Sequence, residues 1–307
     1  MNDGGGGRIY DEPPGNLEEQ LEEAERRTQR RQLASDINSG LRDVLRELND
    51  RDVESVRDRL DSIQDLLGDA AELETLIFGG SVAKHTYVDG LSDIDALVIL
   101  DREFARGSNP KEILRKFREI LHDNLKGRKI QDIRSGDLAV TVTYSDGMEI
   151  QLLPAIRVGT KLAIRGEGGR NWTAIDPGAF RKTLTDANRK LSNQLIPAIK
   201  LIKSMVSSFP SQKKLTGYHI EALSLAAAKD YSGSTTLKDL VSGILSRGAT
   251  LVLNSIRDVT GQSRSVDAYL GPAGSVKRQI AADALQSAAR QLESAGSAGE
   301  WINLVGG

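Results

Sequence analysis

The chain has 307 residues, a formal net charge of −2, 39% hydrophobic and 27% charged residues, which is an ordinary composition for a globular protein of one or two domains. It has no cysteine, which excludes disulfides, thiolate metal sites and cysteine nucleophiles, and its three histidines lie too far apart in sequence to favour a histidine-based zinc site. The weak net charge argues against an extended duplex DNA partner. No apolar run has the length of a membrane span or the pattern of a signal peptide, so we expect a cytoplasmic protein with no membrane partner.

The first predicted unit is a flexible and charged N-terminal arm, residues 1–32. Residues 1–16 are rich in glycine and proline, and residues 17–31 are almost entirely charged, with glutamates before arginines. That order suits the helix dipole and i,i+4 ion pairs. We therefore expect a solvated helical arm, and an arm that mediates protein contacts is the alternative.

Two amphipathic helices are predicted next. Leu33, Ile37, Leu41, Leu45 and Leu48 recur at helical spacing, and a second apolar helical stripe runs through residues 53–67. We expect both helices to pack on the back of a sheet.

A set of strands and turns follows. Residues 76–78 are predicted to be a strand, Gly79-Gly80-Ser81 a tight turn that leads into a helix, and residues 92–100 a second strand. Beyond a helix over 110–125, residues 137–144 and 148–153 are predicted to form a hairpin around the turn at 145–147, which Pro154 ends. The rest is predicted to be mainly helical, after a boundary within the glycine-rich and polar stretch 155–178.

Two carboxylates, Asp93 and Asp95, mark the predicted active site. The two-residue period of a strand puts both on one face, where their mutual repulsion is costly unless a cation lies between them. Mg²⁺ prefers such oxygen ligands, and two such ions can clamp an in-line phosphoryl displacement. Gly80 lets the backbone approach a phosphate and Ser81 adds a hydroxyl donor. Either pattern alone is common in surface turns, but together they predict a site for a nucleoside triphosphate.

These residues carry a family resemblance. Gly80-Ser81, then Lys84-His85-Thr86, then the segment from Gly90 to Asp95 resemble the GS…DxD signature of the polymerase-β-type nucleotidyltransferases. More closely, they resemble the cGAS/DncV-like enzymes (CD-NTases), the oligonucleotide cyclases of CBASS anti-phage systems. Segments farther along the chain extend the resemblance from about residue 33 to the C-terminus: Trp172, Asp176-Pro177, Asn188, and residues 199–203, 218–223 and 258–270.

The resemblance implies an α+β fold with two lobes. Residues 33–170 would form a polymerase-β-like nucleotidyltransferase core, a mixed sheet with helices, and residues 171–307 a C-terminal helical lobe. The implied activity joins ATP or other nucleoside triphosphates, with Mg²⁺ or Mn²⁺, into a cyclic or short linear oligonucleotide and releases pyrophosphate. The product would be a second messenger for a downstream effector protein in phage defence.

The resemblance also implies roles for individual residues. Asp93 and Asp95 would hold the metal, while Gly80, Ser81 and Lys84 would contact the donor triphosphate. On the basic helix, Lys200 and Lys203 lie three residues apart and so share a face, and at least Lys203 would point at the triphosphate. Three more residues, Asn188, Tyr218 and His219, are candidate base or ribose contacts.

The third carboxylate departs from the family pattern. Gln151 stands where the family usually has an aspartate, and we take it as a nucleotide contact. Glu149 lies two residues earlier on the same face, so we predict that it completes the catalytic and metal-binding triad. Asp137 and Asp146 are the alternatives, and weakened or absent catalysis is another.

Two other functions remain open. The same fold could transfer a nucleotide to RNA 3′ ends or to a protein side chain, although the weak net charge argues against a large RNA substrate. Alternatively, the neutral Gln151 would suit a nucleotide-binding regulator that contacts a partner through its charged arm.

Overall fold

The computed structural model describes residues 17–49, 53–70, 73–78, 80–88, 94–125, 129–166, 171–260 and 263–306. The candidate metal ligand Asp93, the turn residues Gly79 and Gly90, and residues 1–16 of the predicted arm lie outside these ranges.

One mixed sheet contains all seven strands of the described residues, in the order β1-β2-β5-β4-β3, with β6 added to β5 and β7 to β6. The strands are β1 (Leu73–Phe78), β2 (Ile94–Leu100), β3 (Ile130–Ser135), β4 (Val140–Tyr144), β5 (Glu149–Val158), β6 (Lys161–Arg165) and β7 (Trp172–Ile175). Strands β2 and β5 run parallel at the centre, and the other pairs are antiparallel. This sheet and its helices confirm the predicted α+β class.

Strand β5 continues past Pro154, so the prediction that this proline ends the strand is wrong. Pairing with β4 stops at Leu152, and pairing with β6 starts at Ala155. Pro154 lies between these two ladders, where its missing N–H is tolerated. The continuation lets β6 and β7 extend the sheet through a stretch in which the sequence predicted only a boundary.

The helices surround the sheet and fill the second half of the chain. They are α1 (Leu17–Asn49), α2 (Val53–Ala70), α3 (Gly80–Ala83), α4 (Arg102–Ala105), α5 (Pro110–Asn124), α6 (Pro177–Lys190), α7 (Leu195–Ser207), α8 (Gly217–Ala228), α9 (Leu237–Leu251), α10 (Val276–Ser294) and α11 (Ala298–Gly306). Among the described helices, none has the length and apolarity that a membrane span requires.

Two large hydrophobic clusters divide the molecule. In the sheet cluster, Leu60 and Ile63 of α2 and Phe117 of α5 pack against inward residues of the central strands. A helical cluster unites residues of α6–α11. We propose on this basis that the chain has a sheet part and a helical part, with the predicted division near residue 170.

Helix α1 belongs to the helical cluster, so the prediction that it covers the sheet is wrong. Ile37 and Leu41 are buried there with Trp301, and Gly40 lies so close to Ile302 that a Cβ would meet that side chain at 2.5 Å. An apolar stripe specifies that a helix face is buried but not which surface buries it. The prediction for α2 is confirmed, since α2 packs on β1.

The N-terminal half of α1 is exposed, as the sequence predicted for residues 17–31. Its charges pair within the helix, as Arg26 does with Glu22 and Arg27 with Glu23. Such exposed pairs contribute little to stability, about 0.3–0.5 kcal/mol each.

The packing of α1 predicts a contrast between two leucine substitutions. Leu41 is 0% exposed and Leu21 is 56% exposed. We expect Leu41→Ala to cost about 2–5 kcal/mol of unfolding free energy, because it leaves a cavity in the helical cluster. The control Leu21→Ala should cost less than about 0.5 kcal/mol. Urea unfolding followed by circular dichroism measures both, and equal shifts would contradict the assignment of α1 to the core.

Candidate functional site

Gly80 begins α3 directly against the first strand residues of β2. Its φ of +50° lies in the left-handed region, which glycine adopts without strain. A Cβ at this position would collide with the Asp95 carboxylate. The glycine is therefore required twice, by the backbone conformation and by the close approach of the turn to Asp95.

Ser81 presents a hydroxyl group that the protein leaves unbonded. The residue is 8% exposed, and its Oγ has no hydrogen-bond partner. The Ser81 carbonyl accepts a hydrogen bond of 2.9 Å from the N–H of Thr86, which closes the turn. Buried polar atoms are nearly always paired, so an unpaired hydroxyl beside a carboxylate is a group available to a ligand.

Strand pairing sets the surroundings of Asp95. In the parallel ladder Asp95 lies beside Gln151, and on the other side of β5 Gln151 is paired with Thr141. The residue next to Asp95 on the central strand is thus a neutral amide where a second carboxylate was expected from the family pattern. The amide oxygen of Gln151 can coordinate a metal ion or accept a hydrogen bond from a ligand, but it adds no negative charge.

Glu149 lies two residues before Gln151 on the same face of β5. Its carboxylate accepts hydrogen bonds of 2.7 and 2.9 Å from one guanidinium nitrogen of Arg134 and one of 3.0 Å from the Thr143 hydroxyl. The predicted third carboxylate is therefore on the expected face and is held by an arginine from β3.

Lys84 lies in the turn after α3 and forms an ion pair with Glu221 of α8. Its ammonium also lies over two aromatic rings, 4.7 Å from the centre of Tyr218 and 5.0 Å from that of Phe180. Lys84 is thus held between an acidic residue and two aromatic rings of the helical part.

Lys203 reaches the same carboxylate from α7. Its Nζ donates to Glu221 Oε1 at 2.7 Å and to the Thr86 carbonyl at 3.0 Å, and the Thr86 hydroxyl donates to Glu221 at 2.5 Å. Burial lowers the pKa of Lys203, and the Glu221 carboxylate acts against that shift. Burial also acts to raise the pKa of Glu221, but the charges of Lys203 and Lys84 outweigh it and hold that pKa below its usual range.

Gly80 lies against Asp95 at the start of β2, and Lys84, in the turn that follows α3, shares the buried Glu221 with Lys203. Lys200 is engaged elsewhere, since its ammonium donates to the Asn49 side chain at the end of α1. Sharing a helix face with Lys203 thus does not take Lys200 to Glu221.

Sequence reasoning missed Glu221 and the role of Thr86. A signal for Glu221 was present, because it is the one acidic residue in the apolar helix GYHIEALSLAAA. A lone charge on a buried helix needs a partner of opposite charge. Its partners could not be identified from the sequence, since Thr86 lies 135 residues away.

The other candidate nucleotide contacts have partners within the helical part. His219 is fully buried, its Nδ1 lies 2.8 Å from the Tyr269 hydroxyl, and burial lowers its pKa to about 4. The Asn188 side chain accepts a hydrogen bond from the Ile196 N–H near the start of α7. Tyr218 donates to Asp258 at 2.7 Å while its ring contacts Lys84.

The donor chemistry at the start of β2 suits a hard cation. Asp95, Gln151 and the unpaired Ser81 hydroxyl all offer oxygen atoms, the ligand type that Mg²⁺ and Mn²⁺ prefer. Within the described part of the chain, no three Asp, Glu or His side chains converge as a metal-binding group. Asp93, the other predicted ligand, is not among those residues.

No protein-family model and no curated protein sequence matches this chain. Solved structures do match. The Escherichia coli MS115-1 CdnC:HORMA-deltaN complex is similar at a TM-score of 0.61 and 15% identity, over 83% of this chain and 89% of the matched chain. Bradyrhizobium diazoefficiens CD-NTase CdnG in complex with GTP gives a TM-score of 0.62 and 13% identity, over 81% and 88%.

A third similar structure is Vibrio cholerae DncV cyclic AMP-GMP synthase in complex with the linear intermediate 5′ pppA(3′,5′)pG. Its TM-score is 0.60 at 14% identity, over 94% of this chain and 90% of that chain. The chain therefore has the fold of the cGAS/DncV-like nucleotidyltransferases, as the GS…DxD resemblance predicted.

The contact between Gly80 and Asp95 predicts the effect of an added methyl group. Gly80→Ala must strain the backbone and displace the carboxylate, whereas Gly107, also left-handed at +71°, has open space where its Cβ would lie. Backbone strain alone costs about 1–2 kcal/mol at either position. We expect the loss of melting temperature in Gly80→Ala to exceed that in the control Gly107→Ala. Equal losses in differential scanning calorimetry would contradict the close approach.

Proposed function

We propose that this protein is a metal-dependent nucleotidyltransferase that joins nucleoside triphosphates into a cyclic or short linear oligonucleotide. The observation that carries the proposal is the turn at Gly80-Ser81. Its backbone touches the Asp95 carboxylate, and its buried hydroxyl is unpaired. A phosphate-binding turn next to a metal-binding carboxylate is the minimal arrangement that nucleotidyl transfer needs.

The proposed roles follow from donor chemistry. The Ser81 hydroxyl would donate to the donor triphosphate, and the cations Lys84 and Lys203 would offset its negative charge. Asp95 would hold Mg²⁺ or Mn²⁺ together with Asp93. The bound ion would supply Lewis-acid stabilisation of phosphate oxygens.

In the reaction, a ribose 2′ or 3′ hydroxyl of the acceptor nucleotide forms a bond to the α-phosphorus of the donor. The bond from that phosphorus to the β-phosphate bridging oxygen breaks, and pyrophosphate leaves. The hydroxyl proton passes to a carboxylate, for which Glu149 is our candidate. Repetition within one molecule would close a ring.

The biological role that we propose is second-messenger synthesis in phage defence, with a downstream effector protein that responds to the product. Support comes from the fold alone, which this chain has in common with DncV, a cyclic AMP-GMP synthase. CdnC is similar too and was solved with HORMA-deltaN. We propose the exposed half of α1 as a surface for such protein contacts.

Incubation with all four labelled nucleoside triphosphates and Mg²⁺ tests the activity. We expect a small phosphodiester product and pyrophosphate, identified by chromatography and mass spectrometry. Asp95→Asn should lower the rate by about a hundredfold or more, because it removes a charge that balances the metal. Label in RNA or protein would indicate a different acceptor, and no product in any mixture, with or without phage lysate, would refute the proposed synthesis.

The third carboxylate has its own test. If Glu149 takes the acceptor proton, Glu149→Gln should lower the rate by about 10²–10⁴-fold. Asp146→Asn tests the alternative candidate on the same hairpin, which is ion-paired with Arg59 as Glu149 is with Arg134, and it should keep the wild-type rate if Glu149 takes the proton. Full activity in Glu149→Gln would remove this residue from the mechanism.

A nucleotide-binding regulator is the second candidate, and the pairing of Asp95 with the neutral Gln151 favours it. Such a protein would bind a triphosphate without joining it to another. Calorimetry that finds ATP or GTP binding, together with an absence of product, would support this function over synthesis.

A further inference from the structure

A buried cluster of three charges connects the phosphate-binding turn to the helical part. Glu221 is 1% exposed and Lys203 is 6% exposed. Lys84 and Lys203 both contact the Glu221 carboxylate, one on each oxygen. Two ammoniums and one carboxylate leave an excess of one positive charge, which is costly inside a protein unless an anion compensates it.

Chain proximity and hydrogen bonds place both positively charged lysines at the Ser81 turn. Lys84 follows Ser81 by three residues, and Thr86 bonds the Ser81 carbonyl through its own N–H. Lys203 and Glu221 in turn bond the carbonyl and the hydroxyl of Thr86. The same few atoms therefore shape the turn and position both cations.

We propose that Glu221 is a positioning residue, which holds the ammoniums of Lys84 and Lys203 at the Ser81 turn so that their excess positive charge can receive a triphosphate. This inference rests on the proposed function, because it requires that the turn binds a nucleotide. Glu221 itself touches no reacting atom. Its carboxylate acts by holding two neighbouring ammoniums close together and by keeping Lys203 charged.

The surroundings of the lysines explain why a carboxylate is needed. Lys203 faces Glu221, Lys84 and, at longer range, Asp95. Lys84 faces Glu221 and the ring of Tyr218, whose pKa burial raises, so that Tyr218 stays neutral. Without Glu221, burial and the charge of Lys84 both lower the pKa of Lys203 with no carboxylate to oppose them. The Lys203 ammonium would then lose its proton as pH rises.

The pH dependence of ATP binding separates this role from a purely structural one. Calorimetric titration with ATP and Mg²⁺ between pH 7.5 and 9.5 should give a nearly constant affinity for the wild-type protein. In Glu221→Gln we expect the affinity to fall as pH rises, by up to tenfold for each pH unit above the pKa of the perturbed lysine. A flat profile for Glu221→Gln would overturn the proposal.

Asp267→Asn is the matched control. Asp267 is also fully buried, pairs with Arg278 in the helical part, and has no contact with the Ser81 turn. The Asp267→Asn variant should have a lower free energy of unfolding, but its affinity for ATP should not change with pH. A sloping profile in this control would show that any lost buried carboxylate produces the effect, and would overturn the role of Glu221.

A second pair of variants covers the case in which Glu221→Gln does not fold. Lys203→Met leaves Lys84 and Glu221 as a neutral pair, so ATP binding should weaken at least tenfold. Adding Glu221→Gln to Lys203→Met removes the carboxylate that holds Lys84, so the affinity at pH 7.5 should stay as low as in Lys203→Met or fall further. A gain in affinity would show that Glu221 only offsets charge, and would refute its positioning role. Absence of ATP, GTP, CTP and UTP binding by the wild-type protein would refute the proposed function, and this inference with it.

Discussion

The parallel pairing of β2 with β5 determines where the candidate groups on the central strands, Asp95, Glu149 and Gln151, lie. These central strands are covered by helices on one face, and their buried residues, such as Ile94 and Ile150, fix the register. A shift of one residue would turn Asp95 into the core and bring apolar side chains to the site. Because side chains alternate along a strand, the burial of Ile94 on one face of β2 places Asp95 on the opposite face, where the candidate site lies.

Residues outside the two central strands complete the candidate site. The turn at Gly80 touches Asp95 from one side, and the helical part supplies Lys203 and Glu221 from another. Breaking a buried ion pair by removing one partner costs about 3–5 kcal/mol, whereas a well-packed apolar replacement is often neutral. Stability alone therefore gives no reason for a buried charge cluster at this place, which is why we propose a binding role for it.

Local signals were enough to predict much of the fold. The helix start at Gly80, the strand β2 and the hairpin at Gly147 all depend on residues adjacent in sequence, and they lie where the sequence indicated. The same holds for α5, whose start is marked by Pro110 and by a capping box between Asn109 and Glu112. The resemblance to the cGAS/DncV-like fold rested on motif residues at the first two of these elements, Gly80-Ser81 and the segment that ends at Asp95, and on shorter segments farther along the chain.

The errors and omissions arose where distant segments decide the outcome. Strands β6 and β7 exist because β5 continues past Pro154 and offers an edge for pairing. Helix α1 packs on α7, α9 and α11, which no periodicity in residues 33–48 could reveal. The partners of Glu221 likewise depend on three segments meeting. The identity of the third carboxylate stays a prediction. Glu149 and Gln151 lie on the same face of β5, so their positions do not tell which of them takes part in the reaction.

The continuous helix α1 has a mechanical consequence. Its 33 residues rise about 1.5 Å each, so the helix is about 50 Å long, and only its second half is anchored in the helical cluster. The exposed half is then a lever arm rigidly attached to that cluster. A rotation of the helical part by a few degrees would displace the tip by several times the movement at the anchor. A spin label or fluorophore near Leu21 would therefore read out, as an amplified signal, any rearrangement of the distant helices.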